Sequence, residues 1–198
     1  MFARTERLLL RPGWLEDAPA LARAIGDEAV VRNLATAPWP YGEEDAHKFL
    51  SLPVDPGQPR FLIFARTGGA PRLVGGCGIS PDPEGRPELG YWIARPYWGL
   101  GFATEAGRQL VSIARAMNLP RLGAGHFVDN PASGAVLHKL GFRPTGAVTQ
   151  RYSAARGGET ACALFEEGDG DGSDAVTPMR GRICGDEDFR ENFRLMAA

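Results

Sequence analysis

The sequence has little of what marks several large protein classes. No apolar run approaches the roughly 18 residues of a membrane-spanning helix, so no membrane association is expected. Its 22 basic residues are outnumbered by 24 acidic ones, which disfavours a nucleic-acid-binding protein that relies on neutralising phosphates. The first eleven residues carry four charged side chains around only three leucines. They have no apolar h-region, so no secretory signal is predicted.

Cysteine is equally scarce, and its pattern excludes a disulfide framework. Cys77, Cys162 and Cys184 are widely spaced and odd in number, which predicts reduced thiols in a cytoplasmic protein and no metal site. With 198 residues, 43% of them hydrophobic and 23% charged, the chain has the composition of a globular domain with one core.

Periodicity divides the chain into a domain over residues 1–165 and a tail over residues 166–198. The tail opens with an acidic, glycine-rich linker at 166–174, and a short helix is predicted at 186–196. Within the domain, strand and helix patterns mix, with hairpins at both ends, which predicts an α+β (mixed α/β) fold on a mixed sheet. Strands are predicted at 5–11, 60–66, 72–79, 88–94, 122–128, 145–153 and 160–165, and helices at 15–25, 27–34, 43–52, 103–117 and 132–140.

The first informative segment is W-G-L-G-F-A-T-E, residues 98–105, where small residues alternate between a strand and a helix. The first N–H groups of a helix have no internal partners and carry the positive end of its dipole, so this place suits a pyrophosphate. A turn that needs glycine only for its geometry is the alternative. A Walker A loop would need Gly-Lys-Ser/Thr, and a dinucleotide fingerprint a third glycine, where this sequence has Phe102-Ala103-Thr104.

The second segment is D-N-P-A-S-G-A-V-L-H-K-L-G-F, residues 129–142. On its own it predicts a helix that Asn130 caps, with Pro131 at its first position and Gly141 after its end. Taken together, the two segments resemble the GNAT superfamily of acetyl-CoA-dependent N-acetyltransferases. T-E-R-L-L-L-R at 5–11 and G-Y-W-I at 90–93 resemble the branch of ribosomal-protein N-terminal (alanine/serine) acetyltransferases, and the resemblance covers about residues 5–165.

The resemblance implies a single domain whose central sheet has about seven strands and splays between the fourth and fifth, residues 88–94 and 122–128. The pantetheine arm of acetyl-CoA would lie in that gap and the pyrophosphate at the helix start. Backbone groups and one side chain are the implied cofactor contacts: Trp92, Ile93, Leu100, Gly101, Phe102, Ala103, Thr104 and Asn130.

The resemblance also bears on the proton donor. Leu137 stands where many members have a tyrosine that protonates the departing thiolate, and Trp98 replaces a usual Gln or Arg at the start of the loop. In the ribosomal-protein branch a serine takes the tyrosine's role, and Ser133 matches it. The alternative is a serine that only satisfies a backbone group at the start of its helix.

Three residues are candidates for the general base: Glu88, His126 and Glu105. Glu105 lies in the first turn of the main helix, where stabilisation of the helix dipole is the favoured interpretation. Glu88 opens the strand that leads to the cofactor, and an exposed carboxylate at a loop edge is the alternative. His126 lies on the next strand, and an imidazole near pKa 6.5 can take a proton at neutral pH, although a structural histidine is the alternative.

Trp39 and Tyr41 form a rigid aromatic segment with Pro40, and we expect them to bind the acceptor unless Trp39 fills the core. The expected activity is transfer of acetyl to a primary amine, a protein N-terminus or a small amine, by direct attack in a ternary complex. A non-catalytic acyl-CoA-binding module and a protein-interaction module are the alternatives. A homodimer is compatible with this reading, and the tail is expected to be dispensable for transfer.

Overall fold

The structure, a computed structural model, describes residues 1–66 and 69–168. The predicted helix at 186–196, most of the acidic linker and Cys184 lie outside the described residues. Within those residues no helix combines the length and the apolar character needed to cross a membrane.

The described residues form eight strands and five helices, close to the predicted elements. The strands are β1 Ala3–Arg4, β2 Leu8–Arg11, β3 Arg60–Ala65, β4 Arg72–Pro81, β5 Pro87–Ile93, β6 Gly123–Phe127, β7 Phe142–Ser153 and β8 Gly158–Glu167. The helices are α1 Ala18–Ile25, α2 Glu28–Val31, α3 Glu43–Ser51, α4 Phe102–Ala116 and α5 Pro131–Lys139.

The strands form one sheet in the order β1-β2-β3-β4-β5-β6-β8-β7. Every neighbouring pair is antiparallel except β5 and β6, which are parallel and pair only at Glu88–Gly123 and Leu89–Ala124. Beyond Leu89 the edge of β5 therefore has no strand partner on that side within residues 1–66 and 69–168. This confirms the mixed sheet, with its gap between the two strands predicted at 88–94 and 122–128.

The strand count of about seven was one too low, because the strand predicted at 5–11 begins only at Leu8 and the short strand β1 lies before the turn that precedes it. Thr5 donates its backbone N–H to the carbonyl of Leu8 at 3.0 Å, and its hydroxyl accepts from the Leu8 N–H at 3.0 Å. These two bonds close a tight turn, so the segment becomes the β1–β2 hairpin. Threonine commonly makes such side-chain bonds to nearby backbone, which compete with a strand.

Helices cover both faces of the sheet, and the alternation of β5 assigns its side chains to them. Leu89, Tyr91 and Ile93 belong to the core that packs under α4 and α5. Trp92 and Ala94 belong to the opposite core, under α1, α2 and α3. By the same alternation Glu88 lies on the Trp92 face.

The end of β8 is tied into the sheet two residues past the predicted domain limit at 165. Glu167 donates its N–H to the Leu122 carbonyl at 2.9 Å, and its carboxylate contacts Arg115. Gly168 donates to the Gly141 carbonyl at 3.1 Å. A chain shortened to its folded domain should therefore retain Gly168.

Candidate active site

A cavity of about 380 Å³ opens where β5 ends, α4 begins and α5 passes alongside. Its wall is mostly apolar, and Val30, Asn33 and Leu34 close it on the side of α2. The gap between β5 and β6 leads into it. Two of the segments singled out in the sequence, the glycine loop and the Asn130 helix, therefore meet at one site.

The glycine loop turns the chain into α4 through two left-handed residues. Gly99 has φ +75° and Gly101 has φ +80°, conformations that residues with a side chain rarely adopt. Gly101 is the N-cap of α4, and the first helical bond runs from Glu105 N–H to its carbonyl at 3.0 Å. The three N–H groups before that bond therefore have no partner within the helix, and their residues, Phe102, Ala103 and Thr104, all line the cavity.

Side chains outside the loop hold it in place. Arg7 donates to the Leu100 carbonyl at 3.0 Å, and its guanidinium lies 4.8 Å from the centre of the Phe102 ring. Glu105 accepts from Thr5 Oγ1 and from the backbone and side chain of Arg7. Burial alone would raise the pKa of Glu105, but these hydrogen bonds outweigh it and lower the pKa. Leu100 itself is half exposed and is absent from the described cavity wall.

The open edge of β5 is presented by Tyr91 and Ile93. Ala94 donates its N–H toward β4, to the Val74 carbonyl at 2.9 Å, so alternate residues turn their backbone groups to the gap. Trp92, for which a cofactor contact was predicted, turns its backbone toward β4, although it also lines the cavity. Trp98 donates its indole N–H to the Ile93 carbonyl at 2.6 Å, which ties the glycine loop to the end of this strand.

Asn130 and Ser133 lie together at the start of α5, as predicted, and both line the cavity. The Asn130 side chain accepts from the Ser133 N–H at 3.4 Å and caps the helix. Sequence reasoning missed the residue that faces them. Tyr91 Oη lies 2.7 Å from Ser133 Oγ and 3.0 Å from the Ser133 carbonyl oxygen. Burial raises the pKa of Tyr91 to about 12, while its bond with Ser133 acts in the opposite direction.

Glu88 is buried on the Trp92 face of the sheet, opposite to the face that carries Tyr91. It is absent from the described cavity wall. Its two carboxylate oxygens accept from Arg151 Nη1 and Nη2 at 2.5 and 2.6 Å. Burial would lower the pKa of Arg151, but the bonds to Glu88 outweigh it and raise the pKa. Nothing in the sequence distinguishes Arg151, on β7, from the other arginines.

His126 is also buried, and its surroundings are those of a packed side chain. Its Nδ1 lies 2.9 Å from the Phe127 carbonyl oxygen, and its ring centre lies 5.3 Å from that of Phe165. A Cβ added to Gly134 of α5 would lie 2.7 Å from Nε2, so the imidazole fills the space that this glycine leaves. His126 is absent from the described cavity wall.

The aromatic segment predicted to bind the acceptor lies away from the described cavity wall. Tyr41 is buried in the core under α1 to α3, and burial raises its pKa. Trp39 is 43% exposed. The residues that line the cavity from this part of the chain are Val30, Asn33 and Leu34, from α2 and the turn that follows it.

No group of three or more His, Cys, Asp and Glu side chains in residues 1–66 and 69–168 could hold a metal ion. The two cysteines in that part of the chain, Cys77 and Cys162, are both buried and free. Burial raises the pKa of the Cys77 thiol to about 12, so it stays protonated at neutral pH.

Comparisons with known proteins agree with the resemblance. The uncharacterized N-acetyltransferase p20 of Bacillus licheniformis is 30% identical over 159 residues, covering 77% of this chain and 88% of p20. A GNAT-family acetyltransferase from Bacillus anthracis has a similar fold, with TM-score 0.70 and 24% identity over 84% of this chain and 97% of that one. RimL, the ribosomal L7/L12 alpha-N-protein acetyltransferase, in complex with coenzyme A, has TM-score 0.69 and 19% identity over the same shares.

The family model described as an acetyltransferase (GNAT) domain matches residues 7–143. That span contains the glycine loop, the splayed strands and α5. The predicted family and fold are therefore confirmed. This chain belongs to the GNAT acetyltransferase family.

Proposed function

We propose that this protein is an acetyl-CoA-dependent N-acetyltransferase, which moves the acetyl group to a primary amine by direct attack in a ternary complex. One observation carries the proposal. The unpaired N–H groups at the start of α4 and the open edge of β5 lie in the same cavity, on either side of the glycine loop. The coenzyme A complex of the structurally similar RimL supports the choice of co-substrate.

The start of α4 fits a pyrophosphate in charge and in shape. The N–H groups of Phe102, Ala103 and Thr104 and the positive end of the helix dipole attract an anion. Gly99 and Gly101 have no side chain to block its approach, and nothing lies within 4 Å of a Cβ placed on Gly99. Lys139 also lines the cavity and adds a positive charge.

The edge of β5 fits the pantetheine arm, whose amide groups can pair with an exposed strand. Ile93 N–H and the backbone groups of Tyr91 face the gap, while the Ile93 carbonyl is already bonded to Trp98. An arm bound here would carry the thioester toward the start of α5. Ser133 would then donate a hydrogen bond to the sulfur as it departs.

The attacking amine must be uncharged, and the cost of deprotonating it depends on the kind of amine. A terminal α-amine with a pKa of about 8 loses its proton at pH 7 for about 1.4 kcal/mol. A lysine side chain, near 10.4, requires about 4.6 kcal/mol. Since neither Glu88 nor His126 lines the described cavity wall, the site favours an α-amine, such as a protein N-terminus. The acceptor would enter past Val30, Asn33 and Leu34.

The experiment measures release of free CoA thiol from acetyl-CoA with a panel of amines. The panel contains peptides with a free N-terminus and no lysine, the same peptides with a blocked N-terminus and one lysine, and small primary amines. We expect release with the first group, and mass spectrometry should place the acetyl group on the α-amine. Calorimetric binding of acetyl-CoA without release for any amine would contradict catalysis and favour a binding module.

Substitution of Gly101 by valine should weaken acetyl-CoA binding at least tenfold, a loss of about 1.4 kcal/mol. A valine is strained at φ +80°, and its branched side chain would stand where the pyrophosphate approaches. The affinity is measured by isothermal titration calorimetry.

Gly85→Val is the matched control for this substitution. Gly85 has φ +82° and lies in the turn before β5, at the opposite end of that strand from the glycine loop. A Cβ on Gly85 would meet nothing within 4 Å, and one on Gly101 would make only an ordinary contact of 3.5 Å with Arg7 Nη2. Both variants should lose a similar amount of stability, and only Gly101→Val should lose affinity. Equal affinity of a folded Gly101→Val variant and the unmodified protein would remove the loop from cofactor binding.

A further inference from the structure

We propose that the proton donor to the departing thiolate is a pair of hydroxyls, in which Tyr91 acts as a positioning residue that supplies its proton through Ser133. The inference rests on the proposed function. It assigns a role to the residue that sequence reasoning missed and restores a tyrosine to a site where Leu137 has replaced the usual one.

Geometry places the two hydroxyls in one buried unit. Tyr91 extends from β5 toward α5, and its Oη lies 2.7 Å from Ser133 Oγ and 3.0 Å from the Ser133 carbonyl oxygen. The two residues are 6% and 5% exposed, and both line the cavity. They come from elements 42 positions apart in the chain, so this contact depends on the packing of α5 against the splayed strand.

The single hydroxyl proton of Tyr91 can take two positions. It can be donated to the Ser133 carbonyl, in which case Ser133 Oγ–H donates to Tyr91. It can instead be donated to Ser133 Oγ, in which case Ser133 Oγ–H donates to an acceptor other than Tyr91. Formation of a thiolate favours the second arrangement, because a charged acceptor makes the stronger hydrogen bond.

The acidity of the groups shows why serine needs a partner. An aliphatic hydroxyl is about as weak an acid as water, whereas a thiol titrates near 8.5, so serine alone can stabilise a thiolate by a hydrogen bond but does not readily transfer its proton to it. The Tyr91 hydroxyl lies closer to the thiol, with a pKa of about 12. A proton that leaves Ser133 while another arrives from Tyr91 avoids a serine alkoxide.

The amine lone pair forms the C–N bond, the thioester C–S bond breaks, and its electron pair stays on sulfur. The proton of Ser133 Oγ moves to sulfur, and the proton of Tyr91 Oη moves to Ser133 Oγ. The amine nitrogen releases one proton to solvent, and the tyrosinate takes one back from solvent.

The test compares Tyr91→Phe, Ser133→Ala and the double variant in single-turnover CoA release, with acetyl-CoA and the best acceptor peptide of the amine panel. Tyr91→Phe keeps the ring that fills the core and removes only the hydroxyl. We expect its rate to fall about tenfold, with acetyl-CoA affinity unchanged within twofold. The double variant should be no slower than Ser133→Ala alone, because the two groups act in series.

A proton inventory in mixtures of H₂O and D₂O supplies a measurement that a merely structural role would not move. The unmodified protein should give a curved plot, from two protons in motion, and Tyr91→Phe a straight one. Losses that multiply in the double variant, or a straight plot for the unmodified protein, would overturn the pair. If the unmodified protein releases no CoA with any amine, the proposed function fails, and this proposal fails with it.

Discussion

Substitution of Arg151 by methionine is expected to lower the free energy of unfolding by about 3–5 kcal/mol, the usual cost of removing one partner of a buried ion pair. Glu88 is 4% exposed, and both of its oxygens are bonded to Arg151. Methionine fills much of the same volume but leaves the carboxylate without its partner. Urea unfolding at pH 7 measures the loss.

The double variant Glu88→Gln/Arg151→Met is the control. Because removal of both charges of a buried pair is often close to neutral, most of the lost stability should return. The Arg151 Nε atom is already buried without a hydrogen-bond partner among the described atoms, so the native pair is not fully satisfied. A cost below about 1 kcal/mol for Arg151→Met would show that water reaches Glu88.

The same double variant decides whether Glu88 is the general base. Suppose that Glu88 only links β5 to β7 through Arg151 and takes no part in proton transfer. The stable double variant should then release CoA at nearly the native rate. A loss on the order of 10²-fold or more in a folded double variant would return Glu88 to the mechanism.

Features of the site that depend on local backbone chemistry could be predicted from the sequence. The alternation of Gly99 and Gly101 predicted a turn into a helix, and both glycines adopt left-handed conformations there. Asn130 was predicted to cap a helix, and its side chain accepts from the backbone N–H of Ser133 in the helix that follows. A cap and its helix are neighbours in the chain, so these interactions do not depend on the rest of the fold.

Contacts across the sheet could not be predicted, because they depend on register. Glu88 and Arg151 lie 63 positions apart in the chain. Their pairing requires the particular order of the strands β5, β6, β8 and β7 in the sheet. Tyr91 lies on the same face of β5 as the apolar residues Leu89 and Ile93. This pattern is typical of a core position, and Tyr91 does lie in the core. Only the packing of α5 against β5 shows that its hydroxyl reaches Ser133.

The place of the aromatic segment relative to the cavity could not be predicted for a similar reason. Tyr41 and Trp39 form a rigid segment, but rigidity does not determine which side of the sheet a loop covers. Tyr41 packs into the core between α1 and α3, while small and medium side chains from α2 reach the cavity. The short helix α2 had no distinguishing residue type in the sequence.

Substitution of Ser133 by alanine should lower kcat on the order of 10²-fold and leave the Kd of acetyl-CoA almost unchanged. In the proposed complex the backbone N–H groups of α4 hold the cofactor, and the substitution does not touch them. The departing sulfur, in contrast, would lose the hydroxyl proposed to stabilise it. The rate of CoA release and calorimetric titration separate these two effects.

The fold should tolerate this change, which makes the rate interpretable. Tyr91 can still donate to the carbonyl oxygen of residue 133 at 3.0 Å, and Asn130 caps the helix through the backbone N–H of the same residue. Ser112→Ala, at an exposed position on α4, is the matched serine control and should keep the native kcat. If Ser133→Ala stays within twofold of that control while chemistry limits the rate, the thiolate takes its proton from water and Ser133 is only part of the helix start.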